Sequence, residues 1–180
     1  MDDKERFLEL IRSTRREGVD GLLEWLEETD FYQAPASAHN HDAFTGGLLY
    51  HSLKAFDIAM KLRQENLENR PDLANYWPVD SIILCTLLHD VCKIGLYRLK
   101  DDGKFTRLRR TLGKLHGRLS VQWIEEHGLT LTGDEKHAIR WHMGPYTQDL
   151  EVDEWPSDVK EAMTHPLSWL VHKADLLSCK

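Results

Sequence analysis

The chain has 180 residues, room for one domain rather than two. Hydrophobic residues at 41% suffice for a core and charged residues at 29% exclude a disordered tail, while no apolar run reaches the roughly 18 residues of a membrane span. The net charge of −7 is uneven: from Lys93 to Arg118 nine bases stand against two acids, which leaves the remainder strongly acidic and excludes a generic nucleic-acid coat in favour of a local anion site.

The pattern predicts helices almost throughout, in a single unit. Residues 1–40 read as N-terminal helices and a loop, and residues 41–178 as the core. Phe7, Leu8, Leu10 and Ile11 form one apolar stripe at helical spacing, and Leu22, Leu23, Trp25 and Leu26 form a second, with Gly18 between them. Phe31 to Phe44 is polar, contains Pro35, and reads as a loop. Gly46-Gly47 opens a long helix that fades before Pro71. Pro78-Val79-Asp80 starts the next, with Asp80 the expected N-cap. Ile82 to Leu88 is continuously apolar, and with Val91 it reaches the length of a buried central helix. Tyr97-Arg98-Leu99 and Phe105-Thr106-Arg107 flank Asp101-Asp102-Gly103 as a short hairpin. Leu115 to His127 reads as a helix stopped by Gly128. Gly133-Asp134 caps another, running from Glu135 to about His142. Tyr146 to Pro156 is a polar loop, and Pro166 begins a last helix ending near Ser178. The opening Met1-Asp2-Asp3-Lys4-Glu5 lacks a signal-peptide pattern. Cys85, Cys92 and Cys179 form no CxxC pair, so reduced thiols in a cytoplasmic protein are expected.

The chemistry concentrates in histidines, of which there are ten. His89-Asp90 ends the most apolar helix, where burying both groups is costly unless they are paired or bound to a metal. A lone pair of this kind is more often a capped helix end. Here it is accompanied by His51, one turn into the glycine-opened helix, by His116 and His142 at helix ends, and by Asp175 among Leu170, Val171, Ala174 and Leu177. Imidazole and carboxylate groups from five helices aimed at one centre make a bundle-core metal site. Such donors suit manganese, iron, cobalt, nickel or zinc, with magnesium at most at a weaker position, and no thiolate set offers a structural zinc site.

These residues also carry a family resemblance. Gly46-Gly47-Leu48-Leu49-Tyr50-His51-Ser52-Leu53, Leu87-Leu88-His89-Asp90-Val91-Cys92-Lys93, Leu115-His116-Gly117, Ile139-Arg140-Trp141-His142 and His172-Lys173-Ala174-Asp175 stand in the order of the HD superfamily of metal-dependent phosphohydrolases. The pattern resembles its two-metal members, over about Asn40 to Ser178. The resemblance implies a compact all-α bundle. It implies that His51, His89, Asp90 and Asp175 hold one divalent ion and that Asp90, His116 and His142 hold another, with Asp90 bridging. It further implies hydrolysis of a phosphoester or phosphoanhydride by metal-activated hydroxide. Asp90 and Lys93 are the expected catalytic residues, Lys93 also binding a phosphate oxygen.

Lys93, Arg98, Arg107 and Arg118 are the expected substrate-binding cations, with Arg118, read as one helical turn from His116, the leading member of the basic strip. His172 is expected to orient a ligand. His41 matches a histidine of the exoribonuclease branch. His39, His127, His137 and His165 read as surface or capping residues, and Trp123, Trp141 and Trp169 as core. About 40 residues precede the resembling stretch and read as helix, not as an oligonucleotide-binding barrel, and no Gly-Tyr-Pro signature follows the central motif. A small phosphorylated substrate, a nucleotide above all, is therefore favoured over nucleic acid, with no membrane involved. The alternatives are a one-metal nucleotidase and a non-catalytic domain that binds a nucleotide or nucleic acid.

Overall fold

A computed structural model describes residues 2–108, 116–144 and 163–180. The protein is all-α with one small hairpin. Its elements are α1 (Asp3–Ser13), α2 (Val19–Glu27), α3 (Gly47–Leu67), a 3₁₀ turn (Pro71–Asn75), α4 (Val79–Leu88), a second 3₁₀ turn (Val91–Lys93), β1 (Tyr97–Leu99), β2 (Phe105–Arg107), α5 (His116–Glu126), α6 (Gly133–Arg140) and α7 (Pro166–Ser178). The expected loop over Tyr146–Pro156 falls outside the described residues.

Helix α4 is the hub. Every side chain from Ser81 to Leu88 is buried. A helix that is apolar all round has no face for water and must be surrounded. Helices α1, α3, α6 and α7 pack around it, and α3 in turn lies along α7. Phe7 and Ile11, four apart on α1, insert into this core together with Leu22 and Leu26 of α2. Burying each such side chain contributes about 1.5–3 kcal/mol.

Three local readings are corrected. The stretch from Phe31 to Phe44 is a loop, as expected, but it is not polar throughout: Phe31 and Ala36 are fully buried, and Tyr32 and Ala34 nearly so. Asp80 does not cap α4; Pro78 holds the N-cap position, its fixed φ suiting a helix entry, and Asp80 sits in the first turn. Helix α6 is capped by Thr132 rather than by Gly133-Asp134. The Thr132 hydroxyl accepts from the Glu135 amide at 3.2 Å, and the Glu135 carboxylate accepts from the Thr132 amide at 2.8 Å, a reciprocal capping box.

Two glycines set the spacing of the elements that carry the site. A Cβ on Gly47 would collide with the Asp42 carbonyl, so the glycine lets α3 start directly against the loop before it. A Cβ on Gly117 would collide with the Ile139 and Arg140 carbonyls. Glycine there brings the first turn of α5 against the end of α6, and His116 within reach of His142.

Candidate metal centre

Each expected ligand occupies a position that its local sequence dictates. His51 lies on the buried face of α3. His89 is the C-cap of α4 and Asp90 follows it; the α-helix does not continue through Lys93 but tightens into the 3₁₀ turn Val91–Lys93. His116 is the first residue of α5, His142 lies in the turn after α6, and Asp175 lies on α7. His51, His89 and His142 are completely buried, and Asp90 and Asp175 almost so.

These groups converge. His51 Nε2 lies 3.0 Å from Asp175 Oδ1, 3.3 Å from His89 Nε2 and 3.8 Å from Asp90 Oδ2. His89 Nε2 lies 3.3 Å from Asp90 Oδ2 and 3.6 Å from Asp175 Oδ1. The other Asp90 oxygen faces the opposite way, with Oδ1 2.5 Å from His116 Nε2 and 3.6 Å from His142 Nε2. One carboxylate thus presents one oxygen to each of two imidazole pairs. Donor atoms of His51, His89 and Asp90, of His89, His142 and Asp175, and of Asp90, His116 and His142 each lie within 4.8 Å of one another.

The hydrogen bonds behind the rings decide which nitrogen faces inward. A carbonyl can only accept, so His89 Nδ1 donates to the Thr86 carbonyl at 2.8 Å and His142 Nδ1 donates to the Ile139 carbonyl at 2.6 Å. In both cases the acceptor is three residues back, a carbonyl of the last helical turn. The Ser178 hydroxyl spends its proton on the Asp175 carbonyl at 2.7 Å, so it accepts from His51 Nδ1 at 3.2 Å. His116 Nδ1 rests 3.4 Å from the Cys92 sulfur. With Nδ1 engaged outside, Nε2 of these rings points to the centre, as a ligating imidazole requires.

The result is a buried cluster of acceptors facing acceptors. Two imidazole Nε2 atoms stand 3.3 Å apart, and His142 Nε2, fully buried, has no hydrogen-bond partner among the described residues. Buried polar atoms are seldom left so. The donor set of imidazoles and carboxylates fits divalent transition-metal ions, which would supply the positive charge that the cluster lacks. The electrostatics agree. Burial disfavours the charged carboxylate of Asp90, yet Lys93, His89 and His116 hold it well below the ordinary range; His51 and His89 do the same for Asp175. Burial alone would lower His89, but Asp90 and Asp175 push it up to about 10, and metal binding would displace that proton. Burial prevails at His116, whose value falls, and this favours the neutral form that binds metal.

The centre opens onto a cavity of about 420 Å³. Asp90, Lys93, His116 and Asp175 form its floor, and Leu96, Tyr97, Met143 and Leu176 give it apolar walls. Lys93 Nζ lies 2.6 Å from Asp90 Oδ2. Burial opposes its charge, but the Asp90 carboxylate raises its affinity for the proton and keeps it an ammonium. His172 also lines the cavity, but among the described residues it forms no hydrogen bond with the Asp175 carboxylate. Its Nδ1 donates to the His142 carbonyl at 2.7 Å and so holds the His142 turn.

The basic strip divides. Arg107 lines the cavity; Arg98 and Arg118 do not. Tyr97 pairs with Arg107 across the hairpin, and alternate residues of a strand face opposite sides, so Arg98, paired with Thr106, faces away. Arg118 is two residues beyond His116, more than half a helical turn around α5, and lines a separate cavity with Lys136, Arg140 and Trp141. Arg109, Arg110 and Lys114 lie outside the described residues. His41 lines the centre's cavity. His127 stacks on Trp25 with centroids 3.8 Å apart. Trp169 stacks on the buried Trp77 while staying partly exposed, so it is core on one face only.

Sequence reasoning missed the residues behind the ligands. Ser178, three after Asp175, was legible only as a helix-end serine. Cys92 was noticed as a thiol but not as the neighbour of His116.

A family model described as HD domain matches residues 48–179. No curated protein and no solved structure matches the chain.

Proposed function

The chain belongs to the HD-domain family, and from that premise we propose that it is a metal-dependent phosphohydrolase that cleaves a phosphoester or phosphoanhydride bond of a small nucleotide-type substrate. The observation that carries the reading is the divided Asp90 carboxylate, one oxygen toward His51 and His89 and the other toward His116 and His142. His51, His89, Asp90 and Asp175 would hold one divalent ion, and Asp90, His116 and His142 a second. Such ions supply Lewis acidity, which acidifies water and polarises phosphoryl oxygens.

The chain's own residues do the rest. The Lys93 ammonium, held in place by Asp90, donates to a non-reacting phosphate oxygen and offsets charge that grows in the transition state. Arg107, across the hairpin from Tyr97, offers a planar fork to a second anionic group at the rim. Leu96, Tyr97, Met143 and Leu176 receive the less polar part of the substrate. A cavity of about 420 Å³ suits a small ligand rather than a polymer. His172 keeps the His142 turn in register through its carbonyl. The cysteines are free, which fits a reducing compartment such as the cytoplasm, and no described helix is long and apolar enough to cross a membrane.

The test is phosphate release from a panel of nucleotides, dinucleotides and cyclic dinucleotides with manganese, alongside metal analysis of the same protein. Metal-dependent release, abolished by Asp90→Ala, is expected. Retention of less than one metal equivalent after loading, or turnover that survives in Asp90→Ala, overturns the reading. His116→Ala divides the two-ion from the one-ion version, since only the latter retains its metal and part of its turnover.

A further inference from the structure

His41 and Cys179 belong to neither set of ligands, yet they meet at the outer edge of the same cavity. Cys179 Sγ lies 3.6 Å from His41 Nε2 and 4.0 Å from Asp175 Oδ1. Cys179 is the C-cap residue of α7 and stands four positions after Asp175, one turn on, so both side chains leave the same face of the helix. His41 comes from the other direction, on the loop before α3, its ring centroid 4.9 Å from that of His51.

We propose that His41, Cys179 and the Asp175 carboxylate form a third cation position, at the edge of the cavity, for a thiophilic divalent ion of the zinc and cobalt class. The separation fits. A tetrahedral zinc bound to one thiolate at about 2.3 Å and one imidazole at about 2.0–2.1 Å places the two donors roughly 3.6 Å apart, and the sulfur and nitrogen stand 3.6 Å apart here. Asp175 Oδ1, 4.0 Å from the sulfur, closes by about half an ångström to complete the set and, since it also faces the centre, is shared with it. His51 is close, with donor atoms of His41, His51 and Cys179 all within 4.8 Å of one another. Both of its nitrogens are engaged, however: Nδ1 donates to Ser178 and Nε2 faces the centre. Three protein donors and an edge open to the cavity leave a fourth position for solvent or for a substrate phosphate. Binding displaces the thiol proton to solvent, so loading releases acid. Sulfur selects against magnesium and calcium more strongly than the imidazoles and carboxylates of the centre do. The inference goes beyond the hydrolase reading and does not depend on what the enzyme cleaves.

The experiment is a cobalt titration of the reduced full chain, followed by absorbance and by metal analysis. Once the centre is saturated, a further equivalent should enter with thiolate-to-cobalt charge-transfer absorption in the near ultraviolet. Cys179→Ser and His41→Ala should each lose that band together with that equivalent, and excess magnesium should not displace it. Cys179 is exposed, so serine is accommodated there, and far-ultraviolet circular dichroism checks the fold. Absence of the band in the unaltered chain, or its persistence in Cys179→Ser, overturns the proposal. A chain that hydrolyses no nucleotide but shows the band keeps the third position and loses the proposed activity; the converse result removes the third position alone.

Discussion

Helix α4 carries a buried polar cluster at each end, and the two are built on opposite plans. At its N-terminal end Ser81 joins Glu135, whose side chain is fully buried. Glu135 Oε1 accepts from Arg16 and from Ser81, each at 2.7 Å, and Oε2 accepts from Arg16 at 3.0 Å and from the Thr132 amide at 2.8 Å. Every acceptor finds a donor. At the C-terminal end His89 and Asp90 enter a cluster in which inward-facing acceptors outnumber donors, and His142 Nε2 is left without a partner among the described residues. Both places bury carboxylates. What separates a structural network from a ligand site is the balance of donors and acceptors. The Glu135 network is complete as folded, whereas the centre fits a divalent ion that would complete it.

Substitutions should divide along that line. Asp90→Asn keeps the shape and removes the bridging charge. We expect turnover to fall at least about a thousandfold, roughly 4 kcal/mol of transition-state stabilisation, with the helical content of the chain retained. Glu135→Ala leaves the Arg16 guanidinium without its bidentate partner and should cost about 3 kcal/mol of stability in denaturant unfolding. The surviving folded fraction should still load metal at the centre. A Glu135 variant that folds normally but loses metal would break the distinction.

Divalent ions should sharpen it. An ion that binds only the folded chain stabilises it by about 2.7 kcal/mol at a hundredfold excess over its Kd. For a chain of this size that corresponds to a rise in Tm of roughly 5–10 °C with manganese or cobalt, reversed by a chelator. Asp175→Asn should lose most of the rise. Glu135→Gln should start from a lower Tm and keep the increment.

The Glu135 network also has a pH signature. Burial works against its charge, but Arg16, Ser81 and the Thr132 amide outweigh burial and hold the carboxyl below its ordinary value of 4.5. A depressed carboxylate contributes stability that is fully present above its unfolded value and is lost as pH falls through the folded one. Denaturant midpoints should therefore decline below about pH 4.5. That acid limb should be shallower in Glu135→Gln, measured with chelator present so that metal release does not contribute.

Much of this was legible in the sequence because most signals are local. The order His51, His89-Asp90, His116, His142, Asp175 lies in five short contexts, each with its own helix periodicity, and an all-α bundle follows from apolar stripes such as Phe7 with Ile11. What escaped depends on register or on the backbone. Thr132 and Asp134 are both plausible caps of α6 by composition, and only the reciprocal bonds of Thr132 with Glu135 distinguish them. The loop Phe31–Phe44 reads as polar on average although Phe31, Tyr32, Ala34 and Ala36 are buried. Arg118 fell on the wrong side because two residues along a helix is more than half a turn.

The hairpin offers the smallest and most local test of the same reasoning. Arg98 and Arg107 have the same chemistry and stand on paired strands; the antiparallel register alone sends Arg107 to the cavity with Tyr97 and Arg98 to the other side. Both are exposed, so neither change should disturb the fold beyond about 0.5 kcal/mol. Arg107→Ala should raise KM several-fold with little change in kcat, roughly 1 kcal/mol of uniform binding, whereas Arg98→Ala should leave both constants unaltered. The effect on KM should shrink as salt rises, because a rim arginine acts through a screened field, while the Lys93 contact beneath it, shielded from solvent, should not. Equal effects from the two arginines would mean that net charge on the hairpin, rather than its register, governs substrate capture.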